Sequence, residues 1–276
     1  MKKTALCLSG ILVAGMALAD ISKGLVLKYT CDEFSDSGTI LPDVTSNNNG
    51  RVVGAKFAAS GRLNGGCEFS GSNSYIQVPA SPLLDSKKVT ACLWFKTAKA
   101  DDPDRTLIDK RADAGYAIRL ATGDKNSMRR GKIYATVAGR DCFSDAALAD
   151  NAWHHAALTY DGETVRLYID GVLQKQTVAW KGEIGAAGQD LFLGMNRSNP
   201  SAKERTASFE GSVDEVLVFD RPLSEAEIKE VIDSTRPRFT RGQVERRIRE
   251  IQELYDRGLL TKEFYDRKIK ECEAGL

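Results

Sequence analysis

Trp153-His154-His155-Ala156-Ala157-Leu158-Thr159-Tyr160-Asp161-Gly162, running on through Val165-Arg166-Leu167-Tyr168-Ile169 to Asp170-Gly171, is the stretch that decides the fold. It reads as two strands with an Asp-Gly turn after each. Asp-Gly supplies the positive φ angles that tight hairpin turns require, and β-branched and aromatic residues flank both turns. Val165, Leu167 and Ile169 alternate with Arg166 and Tyr168, so one face of the second strand is buried and the other is open to solvent or a partner.

Similar short patterns recur outward from this hairpin, at 24–29, 75–78, 89–95, 106–108, 116–120, 133–137, 191–193 and 213–219. No helical periodicity separates them. A dozen or so short strands without intervening helices predict two packed antiparallel sheets, not parallel βαβ units. Trp94, inside Ala91-Cys92-Leu93-Trp94-Phe95, is expected in the core. A helix is expected over 225–234: Ser224 and Glu227 form an S-x-x-E capping box, and Leu223 and Ile228 are spaced as a hydrophobic staple. Arg236-Pro237 ends it, because proline disfavours a helical residue before it.

Composition is that of a soluble globular protein with 28% charged residues, and no internal segment is apolar and long enough to span a bilayer. Lys2 and Lys3, the short apolar run 5–18 and Ala17-Leu18-Ala19 form the three parts of a signal peptide, so residues 1–19 are expected to be cleaved. That implies export, to a periplasmic, secreted or cell-surface location. Losing the two lysines moves the formal net charge from +1 to −1. A near-neutral balance argues against nucleic acid as a partner.

Five cysteines follow residue 19. In an exported chain Cys31, Cys67, Cys92 and Cys142 are disulfide candidates, with three possible connectivities. Cys67 and Cys92 lie in apolar strand patterns and read equally well as buried thiols. Cys272 is the odd one, near the end of a charged helix.

Four motifs in order carry a family resemblance: the hairpin string above; Phe69-Ser70-Gly71-Ser72-Asn73-Ser74-Tyr75-Ile76-Gln77-Val78-Pro79, which looks like F-x-G-x-x-x-Y-I-x-V-P; the loop Asp43-Val44-Thr45-Ser46-Asn47-Asn48-Asn49-Gly50; and Phe209-Glu210-Gly211-Ser212-Val213-Asp214-Glu215-Val216-Leu217-Val218-Phe219-Asp220-Arg221-Pro222-Leu223-Ser224. Together they resemble the LamG-like jellyroll family, relatives of the concanavalin A-like lectin sandwich, over about 25–233. The resemblance implies a mainly β, two-sheet antiparallel jellyroll at 20–235. It also implies a non-catalytic binding or adhesion role toward carbohydrate or protein. Tyr116, Arg119, Arg140 and Trp180 are the expected ligand contacts, on the concave face or the edge loops. The alternatives are a glycoside-active enzyme of the same superfamily and a structural envelope component.

Catalytic patterns are weak. Glycosidases on related sandwiches place two or three alternating carboxylates on one strand. Asp214 and Glu215 are adjacent, and adjacent residues of a regular strand point to opposite faces. His154 and His155 diverge for the same reason, with no third ligand or nucleophile nearby. Calcium is the one cofactor expected. Asp32, Asp43, Asn49 and Asp214 are its expected ligands, since the 43–50 loop looks like the family's D-x-S-G-N-G-N, with Thr45 and Asn47 where glycine and serine are usual. The same residues also make turns by bonding their own backbone.

Residues 236–276 differ in kind. Val244, Ile248, Ile251 and Leu254 with Tyr255 recur at three- and four-residue spacing on a charged helix. Gly258 caps its end, and Thr261 caps a second helix carrying Phe264, Tyr265 and Ile269. Ile251 to Phe264 resembles the short two-helix tail called SHOCT, which implies self-association or docking through 238–276.

Overall fold

A computed structural model describes residues 21–100, 105–110, 114–122, 127–195, 208–235 and 241–273. The expected signal peptide lies outside them. In chain order the strands are β1 (Leu25–Tyr29), β2 (Ile40–Leu41), β3 (Gly50–Val53), β4 (Lys56–Ala58), β5 (Gly66–Ser70), β6 (Tyr75–Val78), β7 (Val89–Lys96), β8 (Arg105–Lys110), β9 (Tyr116–Leu120), β10 (Lys132–Val137), β11 (Arg140–Ala147), β12 (His154–Tyr160), β13 (Thr164–Ile169), β14 (Val172–Leu173), β15 (Val178–Ala179), β16 (Leu191–Leu193) and β17 (Glu210–Phe219). Helices α1 (Glu225–Ser234), α2 (Arg241–Asp256) and α3 (Lys262–Glu273) follow.

The strands form a nine-stranded sheet along β14-β13-β12-β7-β17-β5-β4, with β1 on β17 and β15 on β13. An eight-stranded sheet runs β11-β10-β9-β8-β16-β6-β3-β2. Every strand pair is antiparallel, and the two sheets pack as the expected sandwich.

The predicted hairpin is β12–β13. Ala156, Leu158 and Tyr160 pair with Ile169, Leu167 and Val165, and all six enter the core between the sheets. Its turn is held by Asp161, whose Oδ1 accepts from Glu163 N–H at 2.9 Å and Thr164 N–H at 2.8 Å. At the second turn both Asp170 and Gly171 take positive φ, 51° and 81°, as a tight Asp-Gly turn demands.

β7 is buried on both faces. Ala91, Leu93 and Phe95 join the inter-sheet core, while Cys92 and Trp94 lie under α1 with Ile228, Val231 and Ile232. Full burial of each such aliphatic side chain contributes about 1.5–3 kcal/mol, which explains why a ten-residue helix stays docked. The expected capping box is formed at Ser224 and Glu227, and Leu223 and Ile228 are both buried as the staple requires. Trp94 is therefore a core residue, in the second core beneath the helix. Its indole donates to Thr235 Oγ1 at 2.8 Å.

In the tail, α2 and α3 pack on each other. Tyr255 stacks on Tyr265 at 4.5 Å, and the Tyr265 hydroxyl bonds Gln252 Oε1. Gly258, at φ 70°, caps α2. Val244 and Cys272 are buried, whereas Leu254, Leu259 and Phe264 remain exposed. Among the described residues no helix is long and apolar enough to cross a membrane.

Candidate binding cleft

The four expected ligand contacts do not share a surface. Tyr116 faces the inter-sheet core at 1% exposure, so its expected ligand role is corrected: β9 alternates, and Tyr116, Ile118 and Leu120 are its inward set. Arg119 points the other way. It pairs with Asp109 at 3.3 Å and lies 3.5 Å from the Tyr134 hydroxyl on the outer face of the eight-stranded sheet. Arg140 and Trp180 do meet, at one end of the sandwich, with the guanidinium 5.8 Å from the indole. Trp180 is stacked on Tyr160 at 5.3 Å and packs against the core as a lid.

The four expected calcium ligands divide between two loops. Asp43 accepts from the N–H groups of Lys28 (2.9 Å), Thr45 (3.0 Å) and Asn48 (2.9 Å) and from the Thr45 hydroxyl (2.6 Å), while Asn49 Oδ1 accepts from Asp43 N–H. Asp214 accepts from Arg62, Leu63 and Glu215 N–H at 2.7–3.0 Å. Asp32 sits on the same side, bonded to Gly65 N–H at 3.0 Å. These donors occupy lone pairs that a cation would need. Among the described residues no group of three or more His, Cys, Asp or Glu is arranged to hold a metal ion.

Asp214 and Glu215 depart from regular strand geometry. A β-bulge between Asp214 and Leu217 puts Glu215 at φ 46°, so strict alternation fails there. Both carboxylates are buried, and burial pushes each up to about 7. Lys28 Nζ, 4.0 Å from Glu215, opposes the rise, while Asp214 adds to it. Both carboxylates lie below the surface.

The histidines divide as expected into one packed and one near the surface. His155 is fully buried against Trp94 with neither ring nitrogen hydrogen-bonded, and burial pushes it down to about 4. His154 bridges Asp170 (2.9 Å) and Asp150 (3.1 Å), which raise its pKa above the ordinary value.

All five cysteines after residue 19 are free thiols and buried. Cys92 lies under α1, where it bonds the Leu217 backbone, and Cys142 donates to Gln176 O, so neither has a thiol partner. Cys31 and Cys67 are fully buried in the same inter-sheet core, and the Cys67 thiol adds to the rise of the Cys31 pKa.

The surface with binding character lies beside that pair. Asp32, Glu33, Phe34, Gly38, Ala55, Lys56 and Phe57 line a cleft of about 430 Å³, within the range that holds small ligands. β4 is an edge strand, and Phe57 pairs across it with Cys67, so its ring points to the inner side of the sheet but overhangs the core. It is left 46% exposed, edge-on to Phe34 at 6.3 Å. Gly65 permits this approach, since a Cβ there would lie 2.6 Å from the Phe57 ring. An apolar ring beside two carboxylates and an ammonium can bind an amphipathic, hydroxyl-rich ligand: C–H groups cover the ring and hydroxyls donate to Asp32 and Glu33. Sequence reading missed Phe34 and Phe57. A three-residue strand carries no readable period, and one ring in that strand with another in a separate loop gives no motif.

Comparison with known proteins places these observations. No curated protein matches the chain. Among solved structures, the binding domain of Paraclostridial Mosquitocidal Protein 1 superposes with a TM-score of 0.60 at 18% identity, over 78% of this chain and 53% of that one. Domain 4 of AbnA, an extracellular arabinanase from Geobacillus stearothermophilus solved with arabinotriose, gives 0.57 at 19%, over 75% and 97%. The botulinum neurotoxin serotype D ligand binding domain, solved with N-acetylneuraminic acid, gives 0.59 at 17%, over 79% and 52%. The chain thus spans about half the length of the toxin domains it matches, and at these identities the likeness is one of fold. Residues 70–229, more than half the chain, match the Laminin_G_3 family. The chain belongs to that family, within the concanavalin A-like lectin/glucanases superfamily.

Proposed function

We propose that this chain is an exported, non-catalytic carbohydrate-binding module that takes its ligand in the Phe34–Phe57 cleft. The observation that carries the reading is the half-exposed Phe57 ring over a cleft walled by Asp32 and Glu33. The arabinotriose and N-acetylneuraminic acid complexes of the two fold relatives support a sugar over a protein ligand. Burial of Asp214 and Glu215 supports binding without hydrolysis, because a substrate bond cannot reach them. The tail at 238–276 serves self-association or docking in this reading.

The test is a glycan array followed by calorimetric titration of the best binder, on the full chain, with calcium and with EDTA. Burying a whole phenylalanine contributes about 1.5–3 kcal/mol, and roughly half of Phe57 is open to cover. Phe57→Ala is therefore expected to weaken binding about fivefold, from the loss of about 1 kcal/mol. Glu33→Gln, at the exposed wall, is expected to weaken it further. A sugar bound equally well by Phe57→Ala places the site elsewhere, and a blank array removes the carbohydrate reading. The calcium arm decides between two states of the Asp32, Asp43, Asn49 and Asp214 set. A melting temperature that rises with calcium marks an ion site, and an unchanged one marks carboxylates already satisfied by backbone N–H groups.

A further inference from the structure

Two distant parts of the chain converge on one pair of thiols. Cys31 follows β1 and holds φ 55°, a left-handed backbone that few non-glycine residues adopt. Cys67 lies in β5, opposite Phe57. Both side chains are at 0% exposure within the inter-sheet core, where the neighbouring Cys67 thiol adds to the burial that raises the Cys31 thiol. The backbones are pressed together just alongside. A Cβ on Gly65 would lie 2.9 Å from both Cys31 O and Asp32 Cα, so glycine two residues before Cys67 is what allows the approach. Cys92 and Cys142 are engaged with backbone elsewhere, and Cys272 lies in α3.

We propose that Cys31 and Cys67 form a disulfide in the exported protein. The oxidant is a second disulfide, of a thiol–disulfide oxidoreductase or of glutathione. One cysteine thiolate attacks a sulfur of that disulfide and expels a thiolate, giving a mixed disulfide. The other cysteine thiolate then attacks the first cysteine's sulfur and expels the second thiolate. The protein loses two electrons and two protons; the oxidant's S–S bond breaks and it leaves as two thiols. Burial raises the Cys31 thiol well above its ordinary pKa, so the exchange belongs to folding, before the core closes. The bond ties the two walls of the cleft together: Asp32 and Phe34 follow one cysteine, and Phe57 pairs with the other. It does not depend on what the cleft binds.

The experiment uses the full chain, refolded in a glutathione redox buffer or in dithiothreitol. Non-reducing peptide mapping by mass spectrometry is expected to find a linked peptide pair containing Cys31 and Cys67. Thiol titration in denaturant is expected to count two fewer thiols than in the reduced protein. The oxidised form is expected to melt higher by on the order of 10 °C, and a Cys31→Ala/Cys67→Ala variant to show no redox-dependent difference. If every cysteine of the redox-refolded parent titrates as a thiol, or if the linked peptides contain another pair, the proposal fails. Mapping of the parent decides this even where the double variant does not fold.

Discussion

Lys110→Met tests whether a single buried ammonium organises one side of the sandwich. Lys110 ends β8 with its side chain at 0% exposure. Its Nζ donates to Ala186 O at 3.0 Å and Gln189 O at 2.7 Å, and its charge pairs with Asp85 at 2.8 Å. One charge thereby pins the 184–190 loop and the turn at Pro82–Leu84 to the strand. Methionine keeps most of the stem's volume and removes the charge. Deleting one partner of a buried pair costs about 3–5 kcal/mol, because the other is left uncompensated. Asp85 is 19% exposed and keeps the Gly188 N–H at 3.1 Å, which sets the expectation at the low end, about 3 kcal/mol. For a domain of this size that is a fall of roughly 6–12 °C in melting temperature, readable by calorimetry or urea unfolding. Adding Asp85→Asn to Lys110→Met is expected to recover part of the loss, since the stranded charge is then gone. A cost below about 1 kcal/mol, or no recovery in the double variant, refutes the argument that the uncompensated carboxylate dominates.

His154 is held by Asp170 and Asp150, which raise its pKa, so the folded state keeps a proton that the unfolded chain releases. That contribution is complete below the ordinary histidine value and lost as pH rises through the raised one. The parent is therefore expected to lose more stability than His154→Gln between about pH 6 and pH 9. Parallel melting curves for both proteins are the check. For the tail, truncation after Arg236 is expected to leave a folded sandwich with a changed association state, because Leu254, Leu259 and Phe264 are exposed apolar surface that a partner would cover. Light scattering of both forms decides. Two monomers and a lower melting temperature on truncation would make the tail a brace on its own sandwich.

Local chemistry wrote much of the fold into the sequence. Asp161-Gly162 and Asp170-Gly171 specify tight turns, and Val165, Leu167 and Ile169 specify a face, without reference to the rest of the chain. Ser224 and Glu227 state the start of α1 in the same local way. The site was less legible because it is assembled by pairing. Period-two alternation put Tyr116 and Arg119 on opposite faces of β9, yet nothing local says which face is the core. The bulge after Asp214 cancelled the alternation used to separate Asp214 from Glu215. Phe34 and Phe57 face each other only because β4 lies at a sheet edge. The meeting of Cys31 with Cys67 depends on a gap left by Gly65, visible only once both backbones are in place.

The pairing of β1 with β17 has a mechanical consequence. Leu25 lies opposite Phe219 and Tyr29 opposite Val216, so the start of the first strand and the finish of the last emerge side by side. Tension applied between the two ends of the sandwich therefore loads this antiparallel ladder from one end. Its hydrogen bonds part in sequence, as a zipper opens, without sharing the force as they would in shear. β1 has β17 as its sheet neighbour and is the element that peels first, drawing Val26, Leu27 and Tyr29 out of the core. Continued pulling reaches residue 31 and then the Asp32–Phe34 wall of the cleft. A module tethered at both ends would thus release its ligand under load, and a covalent link at Cys31 would be the point where the peeling stops.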